Sequence, residues 1–185
     1  FIQAAPTGRY DTLKRLSDDF QAAKRLDIVR FYNPAGQSVL ENGALKPGSV
    51  DLLIEGALQG KAVTAVSRAF NEQTKRYELV YLSAAPITDQ RAVAGVLLTG
   101  DRMMDSLAFN SVLQLFPQLE MRVLVETPDG LALLYTSNPG FQEDSLPDPG
   151  SPILEPFREN LSGETYRSMR YPIKNQAGEA VGGNR

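Results

Sequence analysis

Pro86-Ile87-Thr88-Asp89-Gln90, followed by Gly95, is met again as Pro172-Ile173-Lys174-Asn175-Gln176, followed by Gly182. Two further patterns also occur twice, in the same order. Asn33-Pro34-Ala35-Gly36 is answered by Thr127-Pro128-Asp129-Gly130, and Ala57-Leu58-Gln59-Gly60 by Asn160-Leu161-Ser162-Gly163. A solenoid would keep one short period. The separations here are long and unequal. The chain therefore reads as two diverged copies of one small unit: a polar turn, a helix closed by Gly, a strand, a Pro-Ile turn and a last strand.

Working outward, residues 9–25 read as a helix with Tyr10, Leu13, Leu16, Phe20 and Ala23 on one apolar stripe. Leu26 to Asn33 is β-rich, and Pro34-Ala35-Gly36 turns it into a second short strand over 37–40. Ser49 is placed to cap a helix through about Gln59, with Val50, Leu53, Ile54 and Leu58 inward and Gly60 ending it. Strands follow over 61–70, 76–85 and 92–100, with Asn71 to Lys75 and Ile87 to Arg91 as the hairpin loops. Residues 102–116 read as a connecting helix that Pro117 stops. The second copy then opens with strand 121–127, turn 128–130 and strand 131–136. Residues 137–151 form a Pro-rich surface loop, Ser151-Pro152 suits a helix start, and strand 164–171 precedes the second Pro-Ile turn.

The copies differ in size. Gly60 to Pro86 leaves room for a two-stranded hairpin, whereas Gly163 to Pro172 leaves room for one strand. The fold class is α+β: two modules, each an antiparallel sheet with flanking helices, plus a long N-terminal helix, the second module reduced. The boundaries are an N-terminal helix over 1–26, a larger module over 27–101, a connecting helix over 102–118 and the reduced module over 119–185, cut short at its C-terminus.

Composition removes whole classes of chemistry. The 185 residues include no Cys, no His and no Trp. A disulfide, a Cys/His zinc site, haem ligation by His and any Ser-His or Cys-His catalytic pair are excluded. No catalytic residue and no cofactor is expected, and any metal would need an all-oxygen shell. Net charge is −3 and the basic residues are scattered, which argues against a nucleic-acid surface. Glu143, Asp144 and Asp148 read as a solvated loop rather than a calcium site, and nothing places Glu55 and Glu155 as an acid–base pair. Gly182-Gly183 lacks the Lys and Ser/Thr of a phosphate loop. The chain opens at Phe1 and has no apolar run of membrane-spanning length. It reads as a piece excised from a longer protein.

The helix leading into Asp27-Ile28-Val29-Arg30-Phe31-Tyr32-Asn33-Pro34-Ala35-Gly36, then Tyr81-Leu82-Ser83-Ala84-Ala85-Pro86-Ile87 and Val93-Ala94-Gly95-Val96-Leu97, resembles a membrane-distal Cache module. The second set, through Pro172-Ile173 and Val181-Gly182, resembles a reduced membrane-proximal one. Over residues 9–185 the chain thus resembles the double Cache, PAS-like sensor regions of bacterial membrane receptors. The resemblance implies a sheet of about five strands in the larger module and a long N-terminal helix packed along both. It implies a periplasmic or extracytoplasmic location, flanking membrane spans and an output domain: a histidine kinase, a cyclic-nucleotide enzyme or a chemoreceptor.

It also implies that the hairpin over 61–85 lines a pocket for a small molecule, a carboxylate or an amino acid. Tyr77, Tyr81 and Ser83 share one face of their strand. With Arg68 they form a candidate grip on a carboxylate, and Asp101 is the candidate acceptor for an ammonium group. Two plainer readings stand beside these. Arg68 is solvent-exposed with the tyrosines as sheet packing, and Asp101 is the N-cap of the next helix; on the pocket reading, removing Arg68 weakens binding and barely alters stability without ligand. The amino-acid-binding Cache variant carries an Arg followed by Trp-Tyr, and with no Trp that site is not carried over. A sensor that binds no small ligand and pairs with a protein or with itself as a homodimer is the competing function. An exposed apolar patch on the N-terminal helix would favour it.

Overall fold

Ile28 and Val29 are fully buried and start the first strand. The computed structural model describes residues 7–24, 26–90, 92–115, 120–137, 157–161, 164–169 and 171–184. Helix α1 (Thr7–Lys24) leads into β1 (Ile28–Tyr32), β2 (Ser38–Asn42), β3 (Leu45–Pro47), α2 (Asp51–Leu58), β4 (Val63–Asn71), β5 (Arg76–Asp89) and β6 (Ala92–Arg102). A 3-10 turn (Met103–Asp105) and α3 (Leu107–Leu115) connect to β7 (Arg122–Thr127) and β8 (Gly130–Thr136), and then come β9 (Phe157–Leu161), β10 (Glu164–Ser168), β11 (Tyr171–Lys174) and β12 (Ala180–Asn184). Six strands form one antiparallel sheet in the order β2-β1-β6-β5-β4-β3, and four form another in the order β11-β12-β7-β8. β9 and β10 make a separate pair.

Read from the other end, the smaller sheet runs β8-β7-β12-β11, the order of β2-β1-β6-β5 in the larger one. The agreement reaches single residues. Ile87 stands opposite Gly95 and Ile173 opposite Gly182, and in both hairpins the register slips at the residue after the Ile. Both prolines lie inside strands, which corrects the expected Pro-Ile turns. Pro86 lies beyond Ala84, the last residue that β4 reaches, and Pro172 is on the edge strand β11, so neither missing N–H interrupts a ladder. The first hairpins also correspond: Asn33 Oδ1 accepts the N–H groups of Ala35 and Gln37, and Thr127 Oγ1 accepts that of Asp129.

The middle pattern does not correspond. Ala57 and Leu58 close α2, with Gly60 at φ +83°, but Asn160 and Leu161 lie in β9, where Leu161 pairs with Glu164. A polar residue before Gly suits a helix end and a hairpin alike, so the pattern alone does not separate them. The expected helix start at Ser151-Pro152 lies outside the described residues.

Helix α2 buries Leu53, Ile54 and Ala57 against one face of the larger sheet, with Ile28, Tyr32, Val80, Leu82, Val96 and Leu98 beneath. Each Leu or Ile so buried contributes roughly 1.5–3 kcal/mol. Ser49 is not the cap of α2: the cap position is Val50, and the Ser49 hydroxyl donates instead to Asp51 Oδ2 at 3.1 Å. The opposite face carries a second cluster, in which Leu79 of β5 packs with Phe109 of α3 and with Val123, Val125 and Val181 of the smaller sheet. Ser106 caps α3 by accepting the N–H of Phe109 at 3.2 Å.

Helix α1 crosses the same opposite face over β1 and β2. Its docking reverses the expectation. Ser17 is fully buried, while Leu16 and Phe20 are 53% and 38% exposed. Asn42 on β2 fixes this choice, donating to Asp18 Oδ1 at 2.6 Å and lying 3.4 Å from the Ser17 hydroxyl. Leu16 and Phe20 are left facing outward.

Candidate functional site

Between α1 and the smaller sheet, the opposite face of the larger sheet stays open. Antiparallel register sets its floor as two rows across three strands. Thr64 of β4 faces Ser83 of β5, which faces Thr99 of β6, and Val66 faces Tyr81, which faces Asp101. These six residues, with Leu26 as a wall beyond the end of α1, line a groove of about 440 Å³. The hydroxyls of one row lie beside the apolar, aromatic and acidic side chains of the other. Tyr81 is 37% exposed and presents its ring to the groove.

Asp101 is the acid of this floor. It belongs to β6 and is not the N-cap of the next helix. Burial pushes its carboxyl above the ordinary 3.8, and a hydrogen bond to Asp27 and the charge of Asp27 push the same way. Asp27 also accepts the backbone N–H of Arg102 at 3.1 Å, and its Oδ1 lies 3.6 Å from Arg102 Nε. Arg102 is engaged further by Glu78 at 2.8 Å and Asp105 at 3.7 Å. Arg102, the one cation beside this pair among the described residues, is therefore held by three carboxylates.

Of the five residues singled out in the sequence, Tyr81, Ser83 and Asp101 come together in the groove. Arg68 and Tyr77 share that face of the sheet but lie toward the smaller sheet, outside the lining. The Arg68 guanidinium donates to the carbonyl of Glu126 on β7 at 3.0 Å and sits over the Tyr77 ring, 5.1 Å from its centre. Tyr77 in turn packs on Phe70, with ring centres 5.2 Å apart. Thr64, Val66, Thr99, Leu26 and Asp27 were missed. The alternation of β4 and β6 puts the two threonines on one face, but which residues stand opposite each other depends on a register that the sequence does not state.

A second, smaller crevice of about 160 Å³ lies where the two sheets meet at the edge of β4. Ser49, Leu52 and Ser67 line one side and the turn carrying Asn175, Gln176 and Glu179 the other.

Among the described residues, no helix is long and apolar enough to cross a membrane. No family model matches the chain, and no curated protein matches it. Among solved structures, it is similar to the ligand-binding domain of the Pseudomonas aeruginosa PAO1 amino acid chemoreceptor PctC in complex with GABA. The identity is 13% and the TM-score 0.47, over 99% of this chain and 82% of that one.

Proposed function

We propose that the chain is the extracytoplasmic sensor region of a bacterial transmembrane receptor, built from two Cache-like modules of which the second is reduced. The single observation that carries this reading is the shared strand order of the two sheets, together with the matched pairs Ile87–Gly95 and Ile173–Gly182. A repeated strand order of this kind is what a duplicated PAS-like unit, the one the sequence resemblance implies, would leave, and it supports the reading. The fragment itself binds and does not catalyse; catalysis or signalling output belongs to a cytoplasmic domain beyond it.

The ligand site is the groove of Thr64, Ser83, Thr99, Tyr81 and Asp101. Among the described residues that line it, Asp101 is the one charged group, so the ligand is a small molecule with an ammonium group, an amine or an amino acid, rather than a simple carboxylate. Arg68 stands at the rim, engaged with Glu126 and Tyr77. A ligand there signals only through different affinities for two arrangements of the modules, since equal affinity shifts nothing. The test is thermal-shift and calorimetric screening of amines, amino acids and simple organic acids against wild type and Asp101→Asn. Amines or amino acids that stabilise wild type and not the variant support the assignment. Stabilisation by simple organic acids alone, or equally in both proteins, removes Asp101 from the site.

One observation favours a second reading, a module that acts by pairing. Leu16 and Phe20, one turn apart on α1, both face outward. If the helix pairs with a second copy, the protein sediments as a dimer and the double change Leu16→Glu, Phe20→Glu makes it a monomer. A monomer at all accessible concentrations sinks this reading and leaves the first intact.

A further inference from the structure

Rows on an antiparallel sheet come at a fixed pitch. Cross-strand neighbours stand about 4.8 Å apart, and successive residues on one face of a strand about 6.7 Å apart. The groove floor holds two such rows: Thr64, Ser83 and Thr99 in one, Val66, Tyr81 and Asp101 in the other. The hydroxyl row is largely free. Thr99 Oγ1 donates to the carbonyl of Ser83 at 3.4 Å. Among the described residues, the hydroxyls of Thr64 and Ser83 have no protein partner and keep their donors for solvent or a ligand. From this floor we infer that the groove measures its ligand: it takes a chain amine that carries a neutral hydrogen-bonding oxygen, a hydroxyl or an amide carbonyl, one row pitch from its nitrogen. The inference deepens the sensor reading and rests on it, with Asp101 as the acceptor for the ammonium group.

An ammonium group on Asp101 sits one hydrogen bond above its row. An oxygen that accepts from Thr64 and Ser83 sits one hydrogen bond above the other. The separation of the two ends of the ligand therefore follows the pitch of the rows, and an extended chain of about four carbons covers it. Ethanolamine is too short. An α-amino acid, whose ammonium and carboxylate share one carbon, reaches one row only. A much longer chain must fold back, at a cost in rotamer freedom. The far end is neutral because no cation among the described lining residues faces that row, so a carboxylate there would exchange its hydration for hydroxyl donors alone. Tyr81 stands opposite Asp101 in the ladder and, with Val66, gives the methylene groups an apolar surface.

The test is calorimetric titration with ω-amino alcohols of two, four and six carbons, set against unbranched alkylamines of the same lengths. The ratio of the two affinities at each length removes the burial of methylene groups, which both series share. In wild type the ratio is expected to peak at four carbons, about three- to tenfold above its value at two, on the scale of one net hydrogen bond. In the double variant Thr64→Val, Ser83→Ala it is expected to be flat. A flat ratio in wild type, with the amines still binding, overturns the measuring role and leaves the Asp101 site standing; this result needs no variant. A peak that persists in the double variant overturns it as well, as does tighter binding of an ω-amino acid than of the amino alcohol of the same span. If neither series binds, the groove reading falls together with the inference.

Discussion

The guanidinium of Arg68 on β4 donates to the backbone carbonyl of Glu126 on β7, 3.0 Å away, and so joins the two sheets. A residue that sequence reasoning offered to a ligand is thus part of the contact between the two sheets. Its charge also lies over the Tyr77 ring, in the cluster that includes Leu79. Removing it strips a carbonyl of its donor and a ring of its cation.

The expected cost of Arg68→Ala is about 1–2 kcal/mol, the scale of a half-buried hydrogen bond from a charged group. This opposes the expectation from sequence that stability would barely change. Urea unfolding of the ligand-free protein measures it. A change near zero would mean that the Arg68–Glu126 contact is not formed in solution.

Gly182 gives a sharper test of how the sheets meet. A Cβ there would run into the carbonyl oxygen of Leu124 and lie 3.2 Å from Leu79 Cδ1. Backbone cannot move aside as a side-chain tip can, so Gly182→Ala should cost several kcal/mol, on the order of a badly overpacked core site, ~3 kcal/mol. Gly178→Ala is the control. It has φ +82° and open space around it, and should cost about 1 kcal/mol from backbone strain alone. Similar costs for the two would show that Gly182 is not pinned between β7 and β5.

How far the sequence could be read depended on how local each feature was. The Pro-Ile patterns were legible as a correspondence, though not as the strands they form, because a proline, a register slip and a facing glycine lie within ten residues of one another in each hairpin. Asn160 to Gly163 misled because a glycine after polar residues ends helices and turns hairpins equally well. The stripe of Leu13, Leu16, Phe20 and Ala23 suggested the wrong docking face because the deciding partner, Asn42, lies 24 residues beyond Asp18. The groove was half visible: Tyr77, Tyr81 and Ser83 do share a face, but only the register with β4 and β6 adds Thr64 and Thr99 and leaves Tyr77 toward the smaller sheet.

One doubled element went unread and makes its own prediction. Asn33-Pro34-Ala35-Gly36-Gln37 and Asn175-Gln176-Ala177-Gly178-Glu179 form the same turn. In each, Asn Oδ1 accepts the N–H of the fifth residue at 2.9 Å, and the glycine has φ near +80°. Asn33→Ala and Asn175→Ala should each cost about 1 kcal/mol, as for loss of a side-chain cap in an exposed turn. Asn33→Asp should recover most of its loss, because a carboxylate oxygen accepts the same N–H groups. Failure of Asp to rescue would point to the Asn33 amide, which donates to Gln37 Oε1 at 3.0 Å, as the stabilising half.

Stability of the chain should carry the signature of Asp101. Its carboxyl in the folded chain is held above the ordinary 3.8, by burial first and then by Asp27. Between that ordinary value and the folded one, the folded chain binds more proton than the unfolded chain. Stability therefore falls as pH rises through this interval, and the deficit persists at neutral pH. Asp101→Asn has no such proton to lose and keeps the hydrogen bond to Asp27. The variant should be more stable than wild type near pH 7, with the advantage shrinking as pH is lowered and gone once Asp101 of wild type is protonated in both folded and unfolded chains. Urea unfolding at a series of pH values gives the difference curve directly. A variant that is less stable at neutral pH, or an advantage that grows on acidification, would mean that Asp101 is stabilised as a carboxylate and that Asp27 is not its partner.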